Sequence, residues 1–188
     1  MAKVRCDWCN NSEIYVKYHD EEWGEPVYED CRLFEMLVLE SFQAGLNWLT
    51  ILKKRENFRQ GFDQFDYKLI SNYSEEKILE LLQDEGIIRH RGKIEATIDN
   101  ARAFLNIQSE FGSFSNYIWA YVNHQPELNS FSNLDQVPSQ TGLSRAISKD
   151  LKKRGFKFLG PTTVYAFMQA IGLVNDHVTY CFKHKKSA

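Results

Sequence analysis

Cys6 and His19 near one end of the chain, and His177 and Cys181 near the other, restrict its folding more than any other residues. Zinc in structural sites takes four Cys or His ligands in a tetrahedron. One ion shared by all four would bring the two ends of a 188-residue chain together. The i,i+4 spacing of His177 and Cys181 predicts that both point the same way from one helix. Rival ligands stand beside each half: Cys9 forms a C-x-x-C with Cys6, and His184 follows Cys181. Four protein ligands leave no position for water, so such an ion would be structural, not catalytic. Cys31 falls at a predicted helix start and is expected to fill space. The N-terminus has no apolar secretory core and no stretch is long enough for a membrane span, so a cytoplasmic protein with reduced thiols is expected.

Apolar spacing is helical nearly throughout. Asp30 is predicted to cap a helix with Leu33, Phe34, Leu37, Val38, Phe42 and Leu46 on its buried side. Ser74 with Glu75 and Glu76 marks another helix start, with Gly86 as its end. Ile94, Ile98, Ala101, Phe104 and Leu105 form a further stripe closed by Gly112, and Tyr117 to Val122 reads as a short aromatic helix. Residues 125–142, with Pro126 and Pro138, are the longest predicted loop. No repeat or flexible linker divides the chain, so an all-α single domain over 1–188 is expected, with one core or two lobes sharing one. Aromatic residues make up 14% of the chain, enough to fill a core and still line a pocket.

The segment 144–173 has the sharpest local shape. A helix through Ala146, Ile147 and Leu151 stops at Gly155, and Gly160-Pro161 opens the next, since proline suits the first helical position. Together they predict a helix-hairpin-helix, whose turn and new N-terminus offer backbone N–H groups to a phosphate. The net charge of −2 alone argues mildly against a nucleic-acid partner. Yet Arg145, Lys149, Lys152, Lys153, Arg154 and Lys157 cluster here against one acid, Asp150, and a focused basic patch can hold a polyanion. A solvated helix face is the plainer alternative. The candidate DNA contacts are Lys152, Lys153, Arg154, Gly155, Lys157 and Gly160.

Glu40 lies inside the apolar stripe of its own helix, three residues after Leu37. An isolated buried carboxylate is costly and therefore expected to have a partner or a ligand. Trp48 falls on the same side if the helix continues through Gly45. Trp8, Tyr15, Tyr18 and Trp23 are close in sequence; aromatic faces with one acceptor suit a flat ligand that carries N–H donors and positive charge. The plainer alternatives are a structural lock for Glu40 and core packing for each ring. His90 and His124 sit in polar, basic surroundings and read as surface or hydrogen-bonding residues.

Arg5-Cys6-x-Trp8, followed by Tyr15-x-x-Tyr18-His19-Asp20-x-Glu22-Trp23-Gly24, resembles the N-terminal signature of the bacterial DNA-3-methyladenine glycosylase I family. The resemblance continues through Leu33-Phe34-Glu35-Met36, Glu40, Gln43-Ala44-Gly45-Leu46-x-Trp48, Lys53-Lys54-Arg55-Glu56-Asn57, Gly86 to Ile94, Asn123-His124-Gln125-Pro126 and Leu151 to Asp176. It is weakest over 106–116 and 128–143. It implies an all-α helix-hairpin-helix glycosylase of two helical lobes with a base pocket between them. Such an enzyme flips an alkylated nucleotide out of double-stranded DNA and releases free 3-methyladenine. The resemblance selects Cys6, His19, His177 and Cys181 as a zinc site tying segments 1–24 and 174–188. It assigns recognition and catalysis to Glu40, base contacts to Tyr18 and Trp48, and lesser contacts to Tyr15, Trp8 and Trp23.

Many members of the wider superfamily carry a catalytic Asp after the hairpin; here Asn175 stands at that point. Asp176 is one place out of step and receives no role. The pocket segment has no lysine, which predicts base release without strand cleavage, and a monomer suffices. Two competing readings remain at this level: a non-catalytic zinc-stapled helix-hairpin-helix DNA-binding module with a structural Glu40, and a zinc-dependent hydrolase with only three protein ligands.

Overall fold

A computed structural model describes residues 3–9 and 12–184. The outer parts of the two terminal segments, 1–2 and 185–188, and residues 10–11 lie outside the described residues. Among those described, helices α1 (Glu13–Glu21), α2 (Asp30–Gln43), α3 (Trp48–Gly61), α4 (Tyr67–Ile70) and α5 (Glu75–Gln83) occupy the first half. The second half holds α6 (Arg91–Phe111), α7 (Phe114–Ala120), α8 (Gly142–Lys153) and α9 (Pro161–Ala170). The mostly helical expectation holds. Strands were not expected, yet β1 (Glu127–Leu128) pairs in parallel with β2 (Val174–Asn175) and anchors the long loop to the segment after α9.

Helix α2 is the centre of the molecule, packing against α3, α6, α7 and α9. Its residues from Leu33 to Phe42 are all buried, Glu40 included. Phe34, Phe42, Phe58, Phe62, Phe104, Phe114 and Phe167 are fully buried in the same cluster. Each contributes roughly 1.5–3 kcal/mol by leaving water.

Several local expectations shift. Asp30 is the first residue of α2, not its cap, and its carboxylate accepts from the Phe114 and Ser115 amides at 2.9 and 2.8 Å. It thus satisfies the start of α7, a helix that begins earlier than the predicted Tyr117. Cys31 is exposed because the first turn of α2 faces solvent there, so it does not fill space. Helix α5 ends at Gln83, before Gly86. His90 caps α6 by accepting from the Lys93 amide at 3.2 Å, a hydrogen-bonding role as expected.

The largest correction concerns α2 itself, which does not run on to Trp48. It ends at Gln43, Gly45 takes φ +83°, and Asn47 caps α3 by accepting from the Thr50 amide at 2.9 Å. The buried Lys93 ammonium stops α2 by donating to the Phe42 and Ala44 carbonyls at 2.8 and 2.6 Å. Those carbonyls have no intrahelical partner, and a cation there also suits the negative end of the helix dipole. Leu46, expected on the buried stripe, is therefore exposed in the corner.

Between α8 and α9 the chain turns as the glycines predict. Thr141 and Ser144 form a reciprocal capping box at the start of α8, and Gly155 takes φ +97° after its end. Gly160 and Pro161 open α9. Asn100 of α6 braces the turn, accepting from the Lys157 amide at 2.8 Å and donating to the Lys157 carbonyl at 3.2 Å. After α9, Gly172 at φ +67° lets the Glu25-Pro26 backbone approach so closely that a Cβ would lie 2.3 Å from the Glu25 carbonyl carbon.

Candidate active site and metal cluster

Among the described residues, the segments near the two ends of the chain meet. His19 is buried on α1, with Nε2 3.4 Å from Cys181 Sγ and Nδ1 2.8 Å from an Asp20 carboxylate oxygen. Asp20 is held in turn by Arg5, which keeps its carboxyl low, at about 2. The ligand atoms of Cys6, His19 and Cys181 lie within 4.8 Å of one another. His177 falls outside that group of three but packs its ring on His19, with centroids 4.8 Å apart. Its Nδ1 lies 3.2 Å from the Asn175 side-chain oxygen, while its Nε2 is buried without a hydrogen-bond partner.

His177 and Cys181 do not share a helix: the chain there leaves β2 and turns. Tertiary packing, not i,i+4 spacing, brings Cys181 to Cys6 and His19 and lays the His177 ring on His19. The rivals are engaged elsewhere, since Cys9 Sγ donates to the Cys6 carbonyl at 3.1 Å and His184 Nδ1 lies 3.0 Å from the His177 carbonyl. Two buried thiols and two buried imidazoles, one with an orphaned nitrogen, are a donor set that fits a soft divalent cation. Burial pushes the Cys6 thiol up to about 12 and His177 down to about 3, so charge on either is disfavoured by the protein alone.

Against this cluster stands an aromatic box. Trp23 packs edge-on to the His177 ring at 4.6 Å and to Trp8 at 5.2 Å. Trp8 meets Tyr15 at 5.4 Å, and Tyr18 meets Trp48 at 5.5 Å. These five rings, with Glu40 and Gln43 of α2, line a cavity of about 370 Å³. Trp48 reaches it as the first residue of α3, on a different helix from the one expected. Ala166 and Gln169 of α9 and Leu134 and Val137 of the long loop complete the wall.

The polar atoms in this wall are conspicuously unsatisfied. Glu40 is 3% exposed, and its Oε2 has no hydrogen-bond partner; the same holds for Nε1 of Trp8 and of Trp48. Burial pushes the Glu40 carboxyl up to about 8, and burial followed by the Glu40 charge raises Tyr18 well above its ordinary value. Orphaned buried polar groups are rare in folded proteins, and three around one cavity mark a place where a ligand supplies the partners. A buried carboxyl between π faces suits a flat N–H donor bearing positive charge, whose arrival would favour its ionised, accepting form.

Methyladenine glycosylase is the family model that matches the chain, over residues 8–184. The chain belongs to the methyladenine glycosylase family. It is 52% identical over 177 residues to DNA-3-methyladenine glycosylase 1 of Escherichia coli, covering 94% of this chain and 95% of that one. A crystal structure of 3-methyladenine DNA glycosylase I superposes with a TM-score of 0.94 at 52% identity, covering 97% of this chain and all of that one. The Staphylococcus aureus glycosylase, in a structure addressing its recognition of 3-methyladenine, superposes with a TM-score of 0.95 at 37% identity over the full length of both chains.

Several groups around this glycosylase-family site escaped the sequence reading. Arg55, almost wholly buried, bridges Glu22 and Glu35, with Arg32 and Arg59 also on these acids. The ion network fastens the segment after α1 to α2 and α3, beneath Tyr18. Buried Asp176 accepts from Tyr165, Gln169 and Asn129 at 2.5–2.8 Å, which orients Gln169 at the cavity wall. Its lone signal in the sequence was a position one step from a catalytic motif. Leu134 and Val137 lay in the stretch where the resemblance was weakest. The basic candidates separate: Arg154 is tied to Glu110 and Asp150 and Lys157 to Asp99, whereas Lys152 and Lys153 are exposed.

Proposed function

We propose that the protein is a monofunctional DNA-3-methyladenine glycosylase, which hydrolyses the N-glycosidic bond of 3-methyladenine in double-stranded alkylated DNA. The observation that carries this beyond family membership is the buried Glu40 carboxyl, whose Oε2 lacks a hydrogen-bond partner, inside a ring-lined cavity. A base methylated at N3 is cationic in DNA and leaves as a neutral molecule, so the bond is already weak. The protein must extrude the nucleotide, hold the base and favour its departure. Trp48 supplies a π face worth about 0.5–2 kcal/mol to a cation. Glu40 accepts the adenine N–H groups and faces guanine's oxygen unfavourably; Tyr18 completes the edge, with Tyr15, Trp8 and Trp23 enclosing the ring.

In the same reading, one structural zinc ion is held by Cys6, His19, His177 and Cys181; the supporting observation is the buried donor cluster with its orphaned imidazole nitrogen. When bound it supplies neutralising charge and a cross-link, and no bond-making step. The α8–α9 pair serves as the helix-hairpin-helix that grips phosphate through the amides of Phe158, Leu159 and Gly160, those of Gly155 to Lys157 being bonded within the turn and to Asn100, and through the exposed Lys152 and Lys153. Arg154 and Lys157 join only by exchanging their carboxylate partners for phosphate. The whole chain, 1–188, acts as one monomeric, cytoplasmic repair unit. The test is incubation with methylated duplex DNA: free 3-methyladenine should appear while the strands stay intact until abasic sites are cleaved by alkali. Absence of the free base would overturn the proposal.

A further inference from the structure

Glu40 borders two cavities. Besides the aromatic box it lines a second of about 220 Å³, with Gly45, Leu46, Thr162 and Thr163 on the other sides. Gln43 and Ala166 are shared with the box, so the two spaces adjoin across the same carboxyl group. The second space has no aromatic wall. One side is the corner after α2; the other is the first turn of α9, where backbone N–H groups lack intrahelical partners. Thr162, Thr163 and Ala166 lie at helical spacing along one face of α9, with Gln169 one turn further into the box.

The two linings match two halves of one nucleotide. A base needs flat faces, and the box provides them. A deoxyribose has no π face, and it must lie in space continuous with the base because C1′ is bonded to it. Glu40 Oε2, buried and without a hydrogen-bond partner, stands at the junction. As the bond breaks, positive charge moves from base to sugar, and a group placed between them serves both.

We propose that the second cavity is the sugar-and-water subsite: it receives the deoxyribose of the extruded nucleotide, and Thr162 and Thr163 position the attacking water against Glu40. This rests on the glycosylase reading above. The C1′–N9 bond breaks with its electron pair leaving on N9, which converts the cationic base to neutral 3-methyladenine. The water oxygen bonds to C1′, and its proton passes to the Glu40 carboxylate and then to solvent. The charge that entered on the base leaves as a proton, and the sugar is left neutral and hydroxylated.

The test uses the full chain with T162V/T163V, where valine keeps the branched shape and removes the hydroxyls, and T162S/T163S, which restores them. Single-turnover release of 3-methyladenine from alkylated duplex should fall about 100-fold in the valine variant, the scale of a lost positioning contact. Quenching of tryptophan fluorescence by free 3-methyladenine should be unchanged, and the serine variant should recover most of the rate. Added methanol should capture little of the sugar as methyl glycoside in the parent protein and more in the valine variant. Wild-type excision by the valine variant, an equal loss of free-base binding, or no recovery with serine would each overturn the inference. So would methanol capture by the parent at the ratio seen for spontaneous depurination, a measurement that needs no variant. If the parent releases no base at all, the glycosylase reading itself fails and takes the inference with it.

Discussion

At position 40 the chain holds a carboxyl group whose burial pushes it up to about 8, from an ordinary 4.5. Between those values the folded protein retains a proton that the unfolded chain has lost, so stability falls as pH rises through the window. The full cost is present above the folded value. Glu40→Gln removes this titration. The variant and the parent should melt alike below about pH 4, and at about pH 9 the variant should be the more stable by a few kcal/mol, at about 1.4 kcal/mol per pKa unit. A stability gap that does not change with pH would contradict the burial argument. Glu40 was legible because a carboxylate at an apolar position of a 3.6-residue period has few explanations. Its neighbour Glu35 was not, because its partners Arg55 and Arg59 come from another helix and no local period reveals a cross-helix pair.

The corner between α2 and α3 decides whether Glu40 and Trp48 face the same space. Sequence periodicity suggested one continuous helix, and the residue that overturns it, Lys93, lies far along the chain on α6. Only tertiary contact makes it a helix stop. Lys93→Met should destabilise the protein by about 1.5–3 kcal/mol, since the carbonyls it serves lose a charged donor. It should also weaken binding of free 3-methyladenine by loosening Trp48, as read by denaturant melts and a fluorescence titration. Unaltered base affinity would show that the corner holds without Lys93. The α8–α9 turn was legible because Gly155, Gly160 and Pro161 carry their own backbone rules. The segment holding His177 and Cys181 was not: i,i+4 spacing fits a helix but does not make one, and here pairing with β1 takes the chain first.

Across the whole molecule, the buried Cys6–His19–Cys181 cluster, with His177 beside it, and the aromatic box share a wall. Trp23 touches His177, and Tyr18 and His19 are consecutive on α1, so the meeting of the two terminal segments sets the position of the rings of the box. Cross-linking such distant positions stabilises by roughly 5 kcal/mol if the ion acts as a disulfide does. The purified protein should release one equivalent of zinc on thiol modification, with a lower melting temperature and weaker base quenching; protein that is folded and active without zinc would remove the ion from the account. The meeting of the terminal segments was legible in the Cys and His residues placed near both ends, of which Cys6, His19 and Cys181 come together and His177 packs beside them. The box was legible in its rings but not in its far wall, which the loop 125–142 and α9 supply from distant sequence. Recognition and excision both depend on Glu40 within that box. The most direct test of this dependence is single-turnover excision of 3-methyladenine from methylated duplex by Glu40→Gln beside the parent protein, with free-base affinity measured on both. Excision should fall by about 100-fold or more, with weakened binding of the free base. Near-parental excision with unchanged affinity would contradict it.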